Sequence, residues 1–507
     1  MAQQLQNITV AAPGFMGLNT QESPIGGDPS FASVADNCVI DKLGRIGARK
    51  GWEAVSSNGA AVLGSSRGIE AVFEFVKRDG TKIVFSAGNN KIFTGTSTLA
   101  AVTLPGGYSI SANNWKIVSF NNDVYFFQRG HAALVSVAGS TTLIAVADGG
   151  TAAPAANEVL AAYGRLWAAD ITANKYVVYW SDLLDGDDWH GGSSGSLDLT
   201  LVWPTGFDEV VALSAHNGFL IIFGKKSMIV YSGAAAPASM TLSDTIEGIG
   251  CIARDSVQHT GADILFLSDT GVRSLGRTIQ EKSLPLNDLS KNVRTDLTSL
   301  VPLQTNAIKS LYSADEAFYL LTLPDSDTTY CFDMRSPLQD GSQRVTTWSG
   351  LHPLALTTTE AGDIYFGLSS GVVKYAGYLD GTANYQMRYF SNPMDFGNAS
   401  NLKFLKKFNI TIIGGQNTNS TLNWGYDYST NFTKQVFTLT GSVNAGEYGV
   451  SEYNTTAEYT ATAIINTPKV NTSGSGEIVT IGIETEINDT AFSIQKIDIH
   501  ALLGRLI

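Results

Sequence analysis

One local pattern recurs from residue 67 to residue 376: a short apolar strand, a turn of Asn, Asp, Gly or Ser, and a second strand that often ends in an aromatic. The copies are KIVFSAGNNKIFTG at 82–95, DVYFFQRGHAALVSV at 123–137, RLWAADITANKYVVYW at 165–180 and GFLIIFGKKSMIVYSG at 218–233. DILFLSDTGVRSLG at 263–276, AFYLLTLPDSDTTYCFD at 317–333 and DIYFGLSSGVVKYAG at 363–377 complete the series. Anchored on the residue that opens the first strand of each copy, namely Ile83, Val124, Leu166, Phe219, Ile264, Phe318 and Ile364, the spacings are 41, 42, 53, 45, 54 and 46 residues. A four-stranded blade that crosses from axis to rim and back repeats at ~40–50 residues. Further apolar runs, GIEAVFEFV, NWKIVSF, DEVVALSAH and NAIKSLYS, precede several copies and supply an inner strand. Hairpins of a β-sandwich use the same turn chemistry, but a sandwich does not explain seven similar units. The expectation is an all-β chain with a β-propeller of about seven blades.

The composition agrees. Among 507 residues, 51 Gly, 23 Phe and 19 Tyr combine turn formers with strand formers, and only 16% are charged, unlike the Ala-, Glu-, Lys- and Leu-rich make-up of helical bundles. Residues 1–52 are Gly- and Pro-rich with little periodicity and read as an extended arm. The propeller is expected over 53–395. Residues 396–507, with FLKKFNITIIGG, AEYTATAIINT and FSIQKIDIHALLG, read as a β-sandwich platform that the arm joins. One helix is expected, in PLNDLSKNVRTDLTSL at 285–300, where Leu289, Val293 and Leu297 fall at helical spacing and Asp288 stands near the start.

The net charge of −13 opposes tight binding of nucleic acid or anionic lipid by the surface as a whole. Cys38, Cys251 and Cys331 are odd in number and widely spaced, which suits core residues in a reducing cytoplasm better than disulfides or zinc. The opening MAQQLQNITVAAPGF has no basic stretch leading into an apolar one, and no apolar run reaches the ~18 residues of a membrane span. A soluble protein without a secretion signal is expected.

Chemistry-bearing motifs are scarce. HExxH, GxSxG, GxxxxGK[ST] and DxDxDG are all missing from the sequence, so neither an enzyme nor a cofactor is expected. Asp182, Asp185, Asp187 and Asp188 in YWSDLLDGDDWHGG could offer oxygen ligands to a hard cation, but lack the spacing of a calcium loop and read as an acidic turn. No metal is assigned. Lys42, Arg45, Arg49 and Lys50 in DKLGRIGARKGW form a basic patch on an acidic chain. They could dock an acidic partner or touch DNA phosphates; equally, the arginines could pair with nearby Asp. The six His are scattered, with no i, i+4 pair.

Several stretches resemble the tail nozzle, or packaged-DNA stabilisation, proteins of short-tailed bacteriophages. They are APGFMGLNTQESP with ADNCVIDKLGRIGARKGW, YVVYWSDLLDGDDWHGG with VVALSAHNGFLIIFGKKSMIVYSG, and IEGIGCIARDSVQHTGADILFLSDTGVRSL. The resemblance implies a non-enzymatic virion protein, made in the bacterial cytoplasm. It implies a ring of six copies below the portal and adaptor protein, carrying tail fibres or spikes and passing double-stranded DNA through its lumen without tight binding. It transfers no closure residues, and no fibre-docking signature is evident. Two other readings remain: a glycan-binding or glycan-degrading propeller stacking sugars on Trp180, Trp189 and Trp203, and a baseplate or fibre-adaptor protein of a longer-tailed phage.

Overall fold

A computed structural model of the chain describes residues 5–12, 14–22, 28–64, 68–110, 114–204, 206–281, 288–439 and 465–506. Each sequence anchor opens, or stands next to the first residue of, the second strand of an antiparallel meander. The first blade holds Ile69–Val76, Lys82–Gly88, Lys91–Thr94 and Ala100–Ala101. The second runs from Lys116–Phe120 to Ile144–Ala145, the third from Ala156–Ala162 to Gly195–Asp198 and the fourth from Val210–His216 to Thr241–Glu247. The fifth is three-stranded: Gln258–His259, Ile264–Ser268 and Gly271–Ser274. The sixth runs from Lys309–Ser313 to Arg344–Trp348, and the seventh holds Ala355–Thr358, Ile364–Leu368 and Gly371–Tyr375.

The fourth strand of the seventh blade comes from the other end of the chain. Trp52–Ala54 pairs antiparallel with Gly371–Tyr375, Glu53 opposite Lys374. Six four-stranded blades and one three-stranded unit therefore close a propeller, and the closing strand lies at the junction of the arm and the expected propeller.

Turn chemistry explains the tight meanders. Two-residue turns joining first to second strand, or second to third, carry positive φ at both residues: Asn89–Asn90, Asn121–Asn122, Tyr163–Gly164 and Asn217–Gly218. That geometry matches the right-handed twist of the flanking strands and favours Asn and Gly. Blades then bury aromatic and branched residues face to face. Phe85 of the first blade meets Phe126 of the second edge-on at 5.3 Å. Trp167 and Trp180 of the third pack with Leu220 and Ile222 of the fourth, and Phe223 of the fourth lies 5.2 Å from Phe266 of the fifth. Val372 of the seventh returns to Ile69 and Val84 of the first, which completes the ring.

The platform draws strands from both termini. One sheet has Leu5–Ala11, Cys38–Ile40, Ile46–Ala48 and Asn401–Gly414 together with Phe492–Leu506 and three short strands. The other has Phe31–Asp36, Tyr385–Ser391, Val479–Ile487, Asn419–Tyr426 and Thr433–Thr438. This second sheet is continuous with the sixth blade as one ten-stranded sheet. The join is made where Asp36 pairs with Thr347, where Asn37 N donates to Thr347 O (2.7 Å), and where Trp348 Nε1 donates to Cys38 O (2.9 Å). The expected boundary at 395 shifts accordingly: the last propeller strand ends at Tyr375, and Tyr385–Ser391 belongs to the platform.

The expected helix is shorter. A 3-10 turn at Lys291–Val293 leads into Arg294–Leu300, while 282–287 lie outside the described residues. Leu289, Val293 and Leu297 are buried together as the spacing predicts, and buried Asp288 accepts from Arg294 Nε at 2.6 Å. All three cysteines are free and buried; burial pushes each thiol up, Cys251 to about 11. Among the described residues, no helix is long and apolar enough to cross a membrane.

Candidate functional site at the propeller axis

The inner strands begin with charged or amide residues that apolar patterning would not place in a closed ring. Asn114 and Lys116 come from the second blade, Asn157 and Glu158 from the third, Arg254 and Asp255 from the turn before the fifth, and Lys309 from the sixth. Folding draws them into one network. Arg254 forks onto Asp255, Nε to Oδ1 at 2.9 Å and Nη2 to Oδ2 at 2.7 Å. Lys309 Nζ reaches the same Oδ2 at 2.7 Å and Asn114 Oδ1 at 2.9 Å. Arg254 also donates to Asn157 O at 2.5 Å and to Asn114 Oδ1 at 3.0 Å, and Glu158 Oε1 accepts from Leu213 N of the fourth blade at 3.2 Å.

A buried charge persists only when paired and hydrogen-bonded. Burial pushes the Glu158 carboxyl up, against the pull of Lys116 and Arg254. Burial likewise pushes Lys309 down despite Asp255. Asp255 behaves oppositely: burial opposes its charge, yet Arg254, Lys309 and Lys116 together hold it well below the usual carboxylate range. Asp255 is thus the anionic hub of a junction between five blades.

A cavity of about 320 Å³ opens beside the network, lined among others by Trp115, Lys116, Asp255, Gln258, Lys309 and Thr357. Its size falls in the range of small-ligand sites. The residues that build it were legible only as isolated charges within strand-like runs, as in ANEVLAA and NAIKSLYS.

The residues singled out from sequence lie elsewhere. Arg45 and Arg49 do not form a basic surface. Both are buried, Arg45 Nε on Asp41 at 2.5 Å and Arg49 on Asp380 at 2.8 Å. Lys50 reaches Glu316 at 2.8 Å, and Lys42 alone of the four is exposed. A chain segment threading between two domains buries its arginines against the nearest carboxylates, so the pairing alternative holds for these two and their phosphate-contact reading falls.

The sugar-stacking reading falls for two of the three tryptophans. Trp180 and Trp203 are 6% and 4% exposed within the core between the third and fourth blades. Trp189 donates Nε1 to Gly186 O at 2.8 Å and packs on Phe127. A stacking platform needs an open aromatic face, and those of Trp180 and Trp203 are covered, while Trp189 is half-buried.

Three carboxylates of the acidic loop are spent within it, while Asp187 Oδ1 is buried without a partner among the described residues. Asp182 accepts from Ser193 N and Oγ at 2.8 and 2.6 Å, Asp185 from Asp187 N at 2.9 Å, and Asp188 from Gly191 N at 2.7 Å. Asp188, with Asp148 and His190, does place ligand atoms within 4.8 Å of one another, and Asp148 and His190 are exposed.

No family model matches the chain, and no curated protein matches it. Among solved structures, it is similar to BamB from Moraxella catarrhalis, at 10% identity over 60% of this chain and 84% of that one, TM-score 0.39. It is also similar to the WD40 β-propeller domain of Doa1 at 10% identity, over 64% of this chain and 96% of that one, TM-score 0.37. The WD40 domain of Toxoplasma gondii coronin aligns at 9% identity, over 67% of this chain and 87% of that one, TM-score 0.39.

Proposed function

We propose that this chain is a structural virion protein of the tail nozzle type: an oligomeric ring, six copies by the resemblance, that continues the DNA channel below portal and adaptor. The ring would help to retain packaged DNA and conduct it during ejection, with no catalytic step of its own. The observation that carries the reading is the ten-stranded sheet shared by the sixth blade and the platform. Domains joined by a linker move independently by default; a hydrogen-bonded sheet that runs through both makes one rigid body, as a part of a pressurised container requires.

Two further features support it. The net charge of −13, repeated around a ring, repels passing phosphates and so lowers the friction that each Lys or Arg contact would add through counterion release. Leu201 and Phe207, 97% and 60% exposed, with Leu183 and Leu184 also exposed, offer apolar contacts to permanent neighbours on the third and fourth blades.

Electron microscopy and analytical ultracentrifugation of the purified full chain test the reading. A closed ring of several copies with an axial lumen is expected, and the same ring at the tail of the particle. A monomer at all concentrations, with no ring in any particle that contains the protein, would overturn it.

A further inference from the structure

We propose that copies of this chain join head to tail through the platform, the strand Thr433–Thr438 of one copy adding to the strand Leu5–Ala11 of the next. The inference rests on the ring reading above and names the contact that closes the ring. Each strand pairs along one side only, Thr433–Thr438 with Asn419–Tyr426 over six positions and Leu5–Ala11 with Phe492–Leu506 over seven. Neither has a second neighbour among the described residues. The backbone N–H and C=O groups along its other side are a ready template for one more strand.

Proteins blunt such edges with charges, bulges or very short strands. The propeller does so. The outer strands of the first and second blades, Ala100–Ala101 and Ile144–Ala145, have two residues each, and that of the fourth, Thr241–Glu247, carries a bulge with Asp244 and Glu247. The two platform edges lack these devices. Both ladders run without a bulge. LQNITVA has no charge, and the one charge of TKQVFT, on Lys434, turns back across the sheet to Glu484, 3.6 Å away on Val479–Ile487. All of Thr433–Thr438 except Phe437 is exposed. Because successive side chains alternate, both faces of this strand are open.

Exposed apolar side chains of the platform follow the same edges. Tyr428 stands in the hairpin that leads into Thr433–Thr438, Val436 lies within the strand at 63% exposure, and Ile465 opens a short strand at the matching edge of the other sheet. Leu43 lies at the opposite edge, in the turn between Cys38–Ile40 and Ile46–Ala48.

The placement of the edges selects a second copy as the occupant. Residues 496–502 pair with Leu5–Ala11 on one side and with Asn401–Gly414 on the other. Short turns join Asn401–Gly414 to Asn419–Tyr426 and Val479–Ile487 to Phe492–Leu506, so the two sheets stack in the same order. Thr433–Thr438 therefore lies on the side of the sandwich away from Leu5–Ala11. A contact between two different patches repeats from copy to copy and closes a ring when the rotation allows, whereas pairing of like edges stops at two copies.

Mass photometry of the purified full chain tests this with Val436→Lys, which charges one edge, and Asn7→Lys, which charges the other. Each variant keeps one good edge, so each alone is expected to lose the ring at an unchanged melting temperature. Mixed in equal amounts, they should form a dimer of one copy of each, through the two intact edges, at concentrations where neither assembles alone. Rings in Val436→Lys overturn the proposal, as does a mixture that stays monomeric. A lowered melting temperature of Val436→Lys would show that the edge is covered within one chain and overturns it as well. Should Asn7→Lys fail to fold, loss or persistence of the ring in Val436→Lys decides alone. A wild type without any ring sinks the ring reading and this contact together; a wild-type ring that survives Val436→Lys sinks the contact alone.

Discussion

Arg49 and Asp380 form a two-pronged ion pair, Nη1 to Oδ1 and Nη2 to Oδ2 both at 2.8 Å. Arg49 follows the platform strand Ile46–Ala48 and precedes the closing strand Trp52–Ala54; Asp380 lies between the last blade strand and Tyr385–Ser391. The pair thus clamps together two crossings between propeller and platform. Arg49 is wholly buried, donates Nε to Asn37 Oδ1 at 2.8 Å and sits 4.2 Å over the Tyr385 ring. Burial opposes its charge, but Asp380 more than compensates.

Removing one partner of such a pair strands the other. Arg49→Met is expected to cost about 3–5 kcal/mol in urea denaturation. Arg49→Lys should recover only a minor part, because an ammonium cannot fork onto both carboxylate oxygens. Wild-type stability in either variant would show that the clamp is ornamental.

Closure of the ring makes a second prediction. A Cβ on Gly51 would stand 1.9 Å from the Leu379 carbonyl oxygen, a backbone atom that cannot swing aside. Gly51→Ala should therefore destabilise by about 1–3 kcal/mol or more and expose the seventh blade to limited proteolysis. Gly106, with nothing within 4 Å, is the control: Gly106→Ala should stay within about 0.5 kcal/mol.

The buried tryptophans yield a third. Trp203→Ala removes a core side chain between the third and fourth blades, so a loss of about 3–5 kcal/mol is expected. On a glycan array the wild type and a folded Trp189→Ala variant should be indistinguishable; selective loss of a bound glycan in the variant would restore the sugar-stacking reading.

Stability should respond to pH with opposite signs at two carboxylates. The folded Glu158 carboxyl is raised by burial, so the folded state binds the proton more tightly than the unfolded chain. Its contribution is full below the ordinary value of 4.5 and is lost as pH rises through the raised one. Asp340 is lowered to about 2: burial opposes this, but the hydrogen bonds from Lys291 and Ser342 prevail. Its stabilisation is present above 3.8 and lost as pH falls toward 2. Melting temperatures from pH 2 to 8 should show Glu158→Gln flattening the decline above 4.5 and Asp340→Asn flattening the acid limb; unchanged slopes would refute both assignments.

Much of the propeller was readable because blades are local. Ile83, Val124, Leu166, Phe219, Ile264, Phe318 and Ile364 stand first or second in strands whose partners lie within a few dozen residues, so alternation and Asn or Gly turns mark them directly. Trp180 and Trp203, offered for sugar stacking, and Arg45 and Arg49, left open between a surface patch and pairing with Asp, are all buried, for one shared reason. Residue type reports what a side chain can do, while burial depends on what packs over it from elsewhere in the chain.

By itself, then, the sequence determined that the chain is all-β, that it repeats seven times and that its overall field is acidic, since turn chemistry, strand periodicity and charge are properties of neighbours or of sums. Only the tertiary structure decided that Trp52–Ala54 closes the seventh blade, that the sixth blade runs on into the platform, and that Glu158, Arg254, Asp255 and Lys309 meet at the axis. Apart from that between the adjacent Arg254 and Asp255, those contacts join residues from about 50 to more than 300 positions apart, and their partners are selected by the closing of the ring, which no local pattern encodes.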